Sequence, residues 1–442
     1  MAKLKQTGSG EKRKPGRGRT SFNGAGSAGQ ASGSAGDKEL MRRAKPRRDP
    51  AQVMPTDQAP EGASSPDARP VLRFQATRRA KPQAHLADFD LAGRKQLLKE
   101  AGFPAFRADQ LSRYYFTHLT TDPQVMSDLP AKGREDLTDL AFPPLVEQVV
   151  VRSGDQGMTR KYLWRLFDGA EVESVLMRYP SRATLCISCE VGCGMACPFC
   201  ATGQMGLTRN LSTAEIVEQV RLARKACEEG ELGGDPCHLS NVVFMGMGEP
   251  MVNYRAVLGA VRRLIADPPE GFGMSARGIT VSTVGLVPGI KKLTAEKIPV
   301  TLAISLHAPD DELRDQLIPL NSRFKVSELL DAAYEYFQAT GRRVSIEYAL
   351  IKNMNDQAWR AGLLADLLNA RGRGWAHVNP IPLNPTPGSI WTASESRVQA
   401  EFVDTLESKG ITTTIRDTRG QDIDGACGQL ATKSMKERLG SE

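Results

Sequence analysis

From Thr184 onward a short apolar, β-branched stretch is followed repeatedly by a helical one, and no other feature of the chain restricts its fold so strongly. Strands are expected over residues 184–187, 242–245, 279–283, 301–306, 344–350 and 377–381. A helix between two strands returns the chain to the end from which it started, so the strands pair in parallel through right-handed crossovers. Six such units are too few to close an eight-fold barrel. The expected class is therefore α/β, an incomplete (β/α)6 barrel with its functional groups at the C-terminal strand ends. The first crossover helix is sharply bounded: Ser212-Thr213-Ala214-Glu215 reads as a capping box, and Gly230 supplies a stop. Ile216, Val220, Ala223 and Cys227 fall on one face of that helix, which makes Cys227 a packing residue, and Cys237 has no partner at metal-ligand spacing.

Upstream, residues 146–151, 161–167 and 172–176 read as a small antiparallel meander. Helices are expected over residues 91–101, stopped by Gly102-Phe103-Pro104, and over 105–116 and 131–140. The second carries Arg107, Arg113, Tyr114 and Tyr115, a mixture that suits a nucleic-acid backbone or, more plainly, aromatic core residues beside solvated arginines. Residues 1–85 hold 18 Lys and Arg against 7 Asp and Glu, a net +11, whereas residues 86–442 hold 40 against 44, a net −4. All the excess positive charge thus lies in a Gly-, Ala-, Ser- and Pro-rich segment expected to be disordered. Clusters such as Lys12-Arg13-Lys14 suit RNA phosphates, aid solubility only, or belong to a targeting peptide, against which the acidic residues and glycines argue. The expected organisation is a basic tail over 1–85, a helical accessory domain over 86–150 that contacts RNA, and a catalytic core over 151–442. No apolar run approaches the roughly 18 residues of a membrane span, so a cytoplasmic address and no membrane partner are expected.

Five of the eight cysteines, Cys186, Cys189, Cys193, Cys197 and Cys200, fall within fifteen residues, a crowding that points to metal or redox chemistry. Cys193-Gly194-Met195-Ala196-Cys197-Pro198-Phe199-Cys200 is a C-x3-C-x2-C array directly after a strand. Three thiolates so spaced suit three corners of a four-iron cluster, leaving one iron open to a ligand. Zinc is the alternative, through the knuckles Cys186-x2-Cys189 and Cys197-x2-Cys200, but their separation is much shorter than the roughly 15–20 residues of the usual ribbon.

The array, with aromatic Phe199 in its last gap, resembles the radical S-adenosylmethionine (SAM) signature. Together with residues 183–186 and Gly206-Leu207-Thr208-Arg209-Asn210-Leu211 it closely resembles the RlmN/Cfr family of RNA methyltransferases, over about residues 86–430. The resemblance implies a radical-SAM barrel, a 4Fe-4S cluster on Cys193, Cys197 and Cys200, and SAM contacts from Gly248 and Glu249 of Gly246-Met247-Gly248-Glu249-Pro250, then Ser282, Ser305, Leu306, His307 and Asn384. Read singly, His307 is a hydrogen-bonded histidine and the Gly-x-Gly-Glu run a tight turn. Cys189 departs from the family, which more often carries a hydroxyl or other small residue there.

The resemblance further implies that Cys427, in the small-residue run Asp424-Gly425-Ala426-Cys427-Gly428-Gln429, carries a methyl and that Cys186 is its resolving partner, whereas an isolated late cysteine reads by itself as an inert buried thiol. Little side-chain bulk pins that run, which suits a thiol that moves. Glu173 matches the family's proton acceptor; its pattern alone reads as a solvated strand acid. Two SAM molecules per turnover are implied, one giving its methyl to Cys427 and one giving a 5′-deoxyadenosyl radical that activates it. The expected substrate is C2 of adenine in 23S rRNA and tRNA, reached by unstacking the base. A flavodoxin or ferredoxin is expected as electron donor, and the chain as a monomer. Methylation at adenine C8 and a non-catalytic metal-bearing RNA-binding protein are the alternatives.

Overall fold

The computed structural model of the chain describes residues 81–386 and 389–430. Residues 1–80 of the expected basic tail lie outside them. His85, assigned by composition to the tail, is buried, and its Nδ1 accepts from the Ala87 N–H at 3.0 Å.

Among the described residues three α-helices precede the strands: α1 (Leu91–Glu100), α2 (Arg107–Phe116) and α3 (Arg134–Ala141). Asp90 caps α1 by accepting from the Gly93 N–H, and Gly102 beyond its end takes a left-handed conformation, as the stop signal requires. The aromatics of α2 are divided. Tyr115 is fully buried and its hydroxyl donates to Glu218 at 2.6 Å, while Arg113 points outward. Glu218 also pairs with Arg221, and Asp88 accepts from the Ala214 N–H, so buried polar contacts bind the helical segment to the core.

Next come β1 (Val146–Gly154), β2 (Thr159–Leu166), β3 (Glu171–Tyr179) and β4 (Arg182–Cys186), each antiparallel to the last. The boundary expected at residue 150 falls inside β1. A hairpin of β5 (Glu190–Cys193) and β6 (Gly206–Asn210) encloses α4 (Ala201–Gln204). The repeating part follows as α5 (Thr213–Glu228), β7 (Leu239–Phe244), α6 (Tyr254–Ile265), β8 (Ile279–Thr283), α7 (Val287–Glu296), β9 (Thr301–Ser305), α8 (Asp311–Leu317), α9 (Val326–Thr340), β10 (Val344–Leu350), α10 (Ala358–Asn369), β11 (Ala376–Pro382) and α11 (Ser396–Ser408).

One sheet holds nine of these strands in the order β1-β2-β3-β4-β7-β8-β9-β10-β11, of which β4, β7, β8, β9, β10 and β11 run parallel. This is the expected open (β/α)6 arrangement, with one difference. The antiparallel strands are not a separate meander: β4 pairs β3 on one edge and β7 on the other, so its edge hydrogen bonds are satisfied by both halves. Beyond β11, residues 412–416 add a further parallel track, in which the Thr414 N–H donates to Val378 O and the Arg416 N–H to Pro380 O. The core lies between sheet and helices. The capping box at Ser212 forms with both of its hydrogen bonds, and Ile216, Val220, Ala223 and Cys227 are buried as their spacing requires. Cys227 has a neighbour the spacing did not show, since the Cys237 N–H donates to its carbonyl. No helix among the described residues is long and apolar enough to cross a membrane.

Candidate functional site

The β5–β6 hairpin places the cysteine array. Gly192 has φ +77° and a Cβ there would lie 1.9 Å from Gly206 O, so only glycine lets the two strands approach at this point. Cys193 ends β5, and the loop is closed locally by the Cys200 N–H donating to Cys197 O and Gln204 Nε2 donating to Pro198 O. All three thiols line a cavity of about 1010 Å³ including its open mouth. Burial pushes the Cys193, Cys197 and Cys200 thiols up, and neighbouring thiols push them further. Such thiols ionise together only beside positive charge, which suits a metal-cluster donor set. Among the described residues no three His, Cys, Asp or Glu side chains gather closely enough for a single ion. The two C-x2-C knuckles do not converge either: Cys197 and Cys200 line this cavity, whereas Cys186 lines a second one.

The strand ends supply the rest of the cavity wall. After β7, Gly248 has φ +106° and a Cβ on it would fall 2.6 Å from Glu190 Cβ. Glu249 is buried, and its two carboxylate oxygens accept from the Met251 and Val284 N–H groups at 3.0 and 2.9 Å. Ser282 at the end of β8 donates to Phe244 O, and Ser305 ends β9. His307 takes φ +59°, its Nδ1 accepts from the Ala349 N–H at 2.9 Å, and burial followed by the Arg314 charge holds its pKa down to about 3. The ring is therefore neutral with its proton on Nε2. Gly248, Glu249, Ser282, Ser305, His307 and Asn384 all line the cavity. Leu306 does not: its side chain is fully buried in the core and its N–H donates to Glu347 O.

Cys427 lies on a later segment that packs against the end of the array, where the Ala201 N–H donates to Gly428 O. It lines the first cavity, and with Cys186 it lines the second, of about 460 Å³ including its open mouth. Both are free thiols. Burial pushes Cys186 up to about 12, Cys427 adds to the rise and Arg416 opposes it. The segment around Cys427 is not loose, contrary to what its small residues suggest, because its backbone is tied at many points. Lys161 Nζ donates to Asp424 O at 3.0 Å, Asn384 Nδ2 to Cys427 O at 3.0 Å, the Ala201 N–H to Gly428 O, and Thr202 Oγ1 to Leu430 O at 2.7 Å. Asn384, expected as a SAM contact, thus also holds the Cys427 backbone. Glu173 is not a solvated strand acid. It is buried in an ion pair with Lys161 at 2.9 Å, and its register puts it on the sheet face of Cys186, two residues along β3 from the Val175 that pairs Cys186. It lines neither of these two cavities.

Sequence patterns gave no sign of two arginines. Arg416 lines both cavities, and Cys427 does most to hold its guanidinium charged, against burial, with Glu347 and Cys186 adding to the effect. Arg314 is buried and donates to the carbonyls of Val284, Ser305 and Leu306, clamping the ends of β8 and β9. Its only trace in the sequence is a charge beside the apolar positions of a short helix. Cys189 is buried and pushed up by burial, with Glu190 and Glu249 contributing.

Comparison with known proteins follows the same lines. The model of the radical SAM superfamily matches residues 187–361. The protein called "Probable dual-specificity RNA methyltransferase RlmN" in Kocuria rhizophila is 63% identical over 82% of this chain and 96% of its own length. Its namesake in Thermobifida fusca is 60% identical over 81% and 98%. A radical SAM methyltransferase of known crystal structure, from Sphaerobacter thermophilus, superposes with a TM-score of 0.74 at 44% identity, covering 78% of this chain and 98% of that one.

Proposed function

Since the chain belongs to the RlmN family of dual-specificity RNA methyltransferases in the radical SAM superfamily, we propose that it methylates adenine C2 in 23S rRNA and tRNA through a methyl carried on Cys427. The observation that carries this reading is the position of Cys427, bordering the three-thiol cavity on one side and the Cys186 cavity on the other. The residues present fit a 4Fe-4S cluster and SAM: three buried thiols from Cys193, Cys197 and Cys200 share one cavity with the polar strand ends of Gly248, Glu249, Ser282, Ser305, His307 and Asn384, and Leu306 offers only backbone. When bound, these groups supply a methyl and a 5′-deoxyadenosyl radical able to take hydrogen from a sulfur-bound methyl, with two SAM used per turnover.

Adenine C2 is an electron-poor carbon with no lone pair, so it needs a carbon radical delivered from the protein rather than polar attack on a methyl. Cys427 carries that carbon and, once it has joined C2, tethers the RNA as a thioether. After the adduct has given up its unpaired electron to the bound redox group, Cys186 attacks the Cys427 sulfur as its thiolate; the sulfur–carbon bond breaks with its electron pair left on the methylene carbon, which takes a proton to become the methyl group, and a Cys186–Cys427 disulfide remains. Glu173 takes the C2 proton. Burial keeps Cys186 protonated at rest, and the nearby Arg416 charge favours its thiolate on attack. In the same reading residues 86–150 contact RNA, the core over 151–442 performs the chemistry, the tail over 1–85 adds phosphate contacts, and a flavodoxin- or ferredoxin-like donor reduces a monomeric cytoplasmic enzyme.

Cys186→Ala tests the scheme. It leaves the three cluster thiols and Cys427 in place, so RNA joined to Cys427 through one carbon should accumulate, whereas Cys427→Ala should form neither adduct nor product. Mass spectrometry of nuclease- and protease-digested protein reads the crosslink, and nucleoside analysis separates C2 from C8 products. Normal methylation by Cys427→Ala would overturn the reading.

A further inference from the structure

The second cavity has an outer rim that the chemistry above does not use. Tyr179, the last residue of β3, lines it together with Arg419, while Cys186 and Cys427 lie within. Arg182 opens β4 directly across the ladder from Tyr179, and its guanidinium lies 4.4 Å from the tyrosine ring centroid. Arg419 approaches the same ring at 5.4 Å. Both distances are within the range of a cation–π contact.

The charges at this rim are unevenly matched. Arg182 is exposed and has no ion pair among the described residues. Among the described residues half-buried Arg419 pairs only with exposed Asp417, at 2.9 Å and two positions away. Arg416 adds a third guanidinium deeper in the cavity, paired with Glu347 at 3.6 Å. Arg178, one residue before Tyr179, is by contrast committed to the carbonyls of Leu232 and Asp235. The rim therefore presents one aromatic face with guanidiniums in excess of carboxylates, at the mouth of the cavity that Cys186 and Cys427 line.

Single-stranded nucleic acid is held by that combination, with bases stacking on aromatic rings and phosphates taken by arginine. We propose that Tyr179, Arg182 and Arg419 form the docking rim for the RNA strand that carries the target nucleotide. The unstacked adenine passes this rim to reach Cys427, which borders both cavities. A flanking base stacks on Tyr179 in place of a guanidinium, and Arg182 and Arg419 turn to the adjacent phosphates. This rests on the RNA substrate of the preceding section and adds where the strand enters.

The test uses the full chain and an unmodified tRNA transcript, with affinity measured by fluorescence anisotropy across a salt series. Arg182→Ala combined with Arg419→Ala should weaken binding about tenfold and make log K against log salt shallower by about 0.7 for each single-strand phosphate no longer neutralised. Tyr179→Ala should weaken binding about 5-fold or more because a base can no longer stack there, and Tyr179→Phe should keep the affinity. Arg165→Ala, an exposed arginine of β2 paired with Glu147, should change neither quantity. Thermal melting identifies any variant that is misfolded, and Arg182→Glu, at an exposed position, then replaces it with a larger expected loss. Unchanged affinity and slope in the double variant, with the unaltered chain methylating the same transcript, would reject the rim and leave the reaction standing. Loss of affinity in the variants, with no methylation by the unaltered chain, would support the rim and reject the reaction.

Discussion

The two cysteine segments bordering the cavity are built in opposite ways. Cys193, Cys197 and Cys200 sit in one hairpin, closed by hydrogen bonds between residues only three to six apart. Cys427 is held from across the chain: Lys161 to Asp424 O spans 263 positions, Asp155 to the Gly420 N–H 265, and Thr202 to Leu430 O 228. The first segment carries its geometry in its spacing. The second borrows its geometry from the sheet, so distant substitutions should affect it alone.

The strongest test of that contrast is iron binding. Replacing Cys193, Cys197 or Cys200 singly by Ala should abolish anaerobic reconstitution of about four iron and four sulfide per chain and its visible absorption. Cys427→Ala should keep both. Equal iron loss in the two sets would mean that the segments do not act independently.

A smaller effect should follow from cutting one remote tether. Asp155, on the turn after β1, accepts from the Gly420 N–H at 2.9 Å and from Thr159 Oγ1. Asp155→Ala should raise alkylation of Cys427 and proteolysis within residues 417–430 several-fold, with iron content unchanged. If both rates stay the same, the segment is fixed locally and the contrast fails.

Where the turn after β7 meets β5, Gly248→Ala puts a Cβ against Glu190 in a left-handed conformation, and should lower stability by about 1–3 kcal/mol in thermal or denaturant unfolding. Neutral behaviour would show that this turn yields more easily than its spacing suggests.

Acid should act elsewhere, on the contact between the helical segment and α5. Burial holds His85 down to about 4, Glu218 raises it, and Arg221 and Arg94 lower it; Asp88 is hydrogen-bonded beside it. The folded ring is thus neutral where the unfolded ring, at 6.5, takes a proton. Its contribution is complete above about pH 6.5 and is lost as pH falls toward 4, on the order of 1 kcal/mol per pH unit. His85→Asn should flatten that part of the pH–stability curve. An unchanged slope would remove His85 as the cause.

The six parallel strands, the capping box at Ser212 and the C-x3-C-x2-C array were legible because each depends on residues a few positions apart, through the two-residue strand period, the helical turn or a local ligand spacing. The β5–β6 hairpin around the array was not, since four residues of Glu190–Cys193 are too few for a period to show. The antiparallel strands were recognised as strands, but their joining to the main sheet depends on which edge of β4 pairs with which partner.

By itself, then, the sequence determined the strand–helix alternation, the three clustered thiols and the Gly-x-Gly-Glu turn, and through them the family. Only the tertiary structure decided that Glu173 pairs with Lys161, that Asn384 holds the Cys427 backbone, and that Arg416 stands beside both Cys186 and Cys427. The physical reason is that a side chain's type states what it can bond to and not which distant group folding will bring within 3 Å of it.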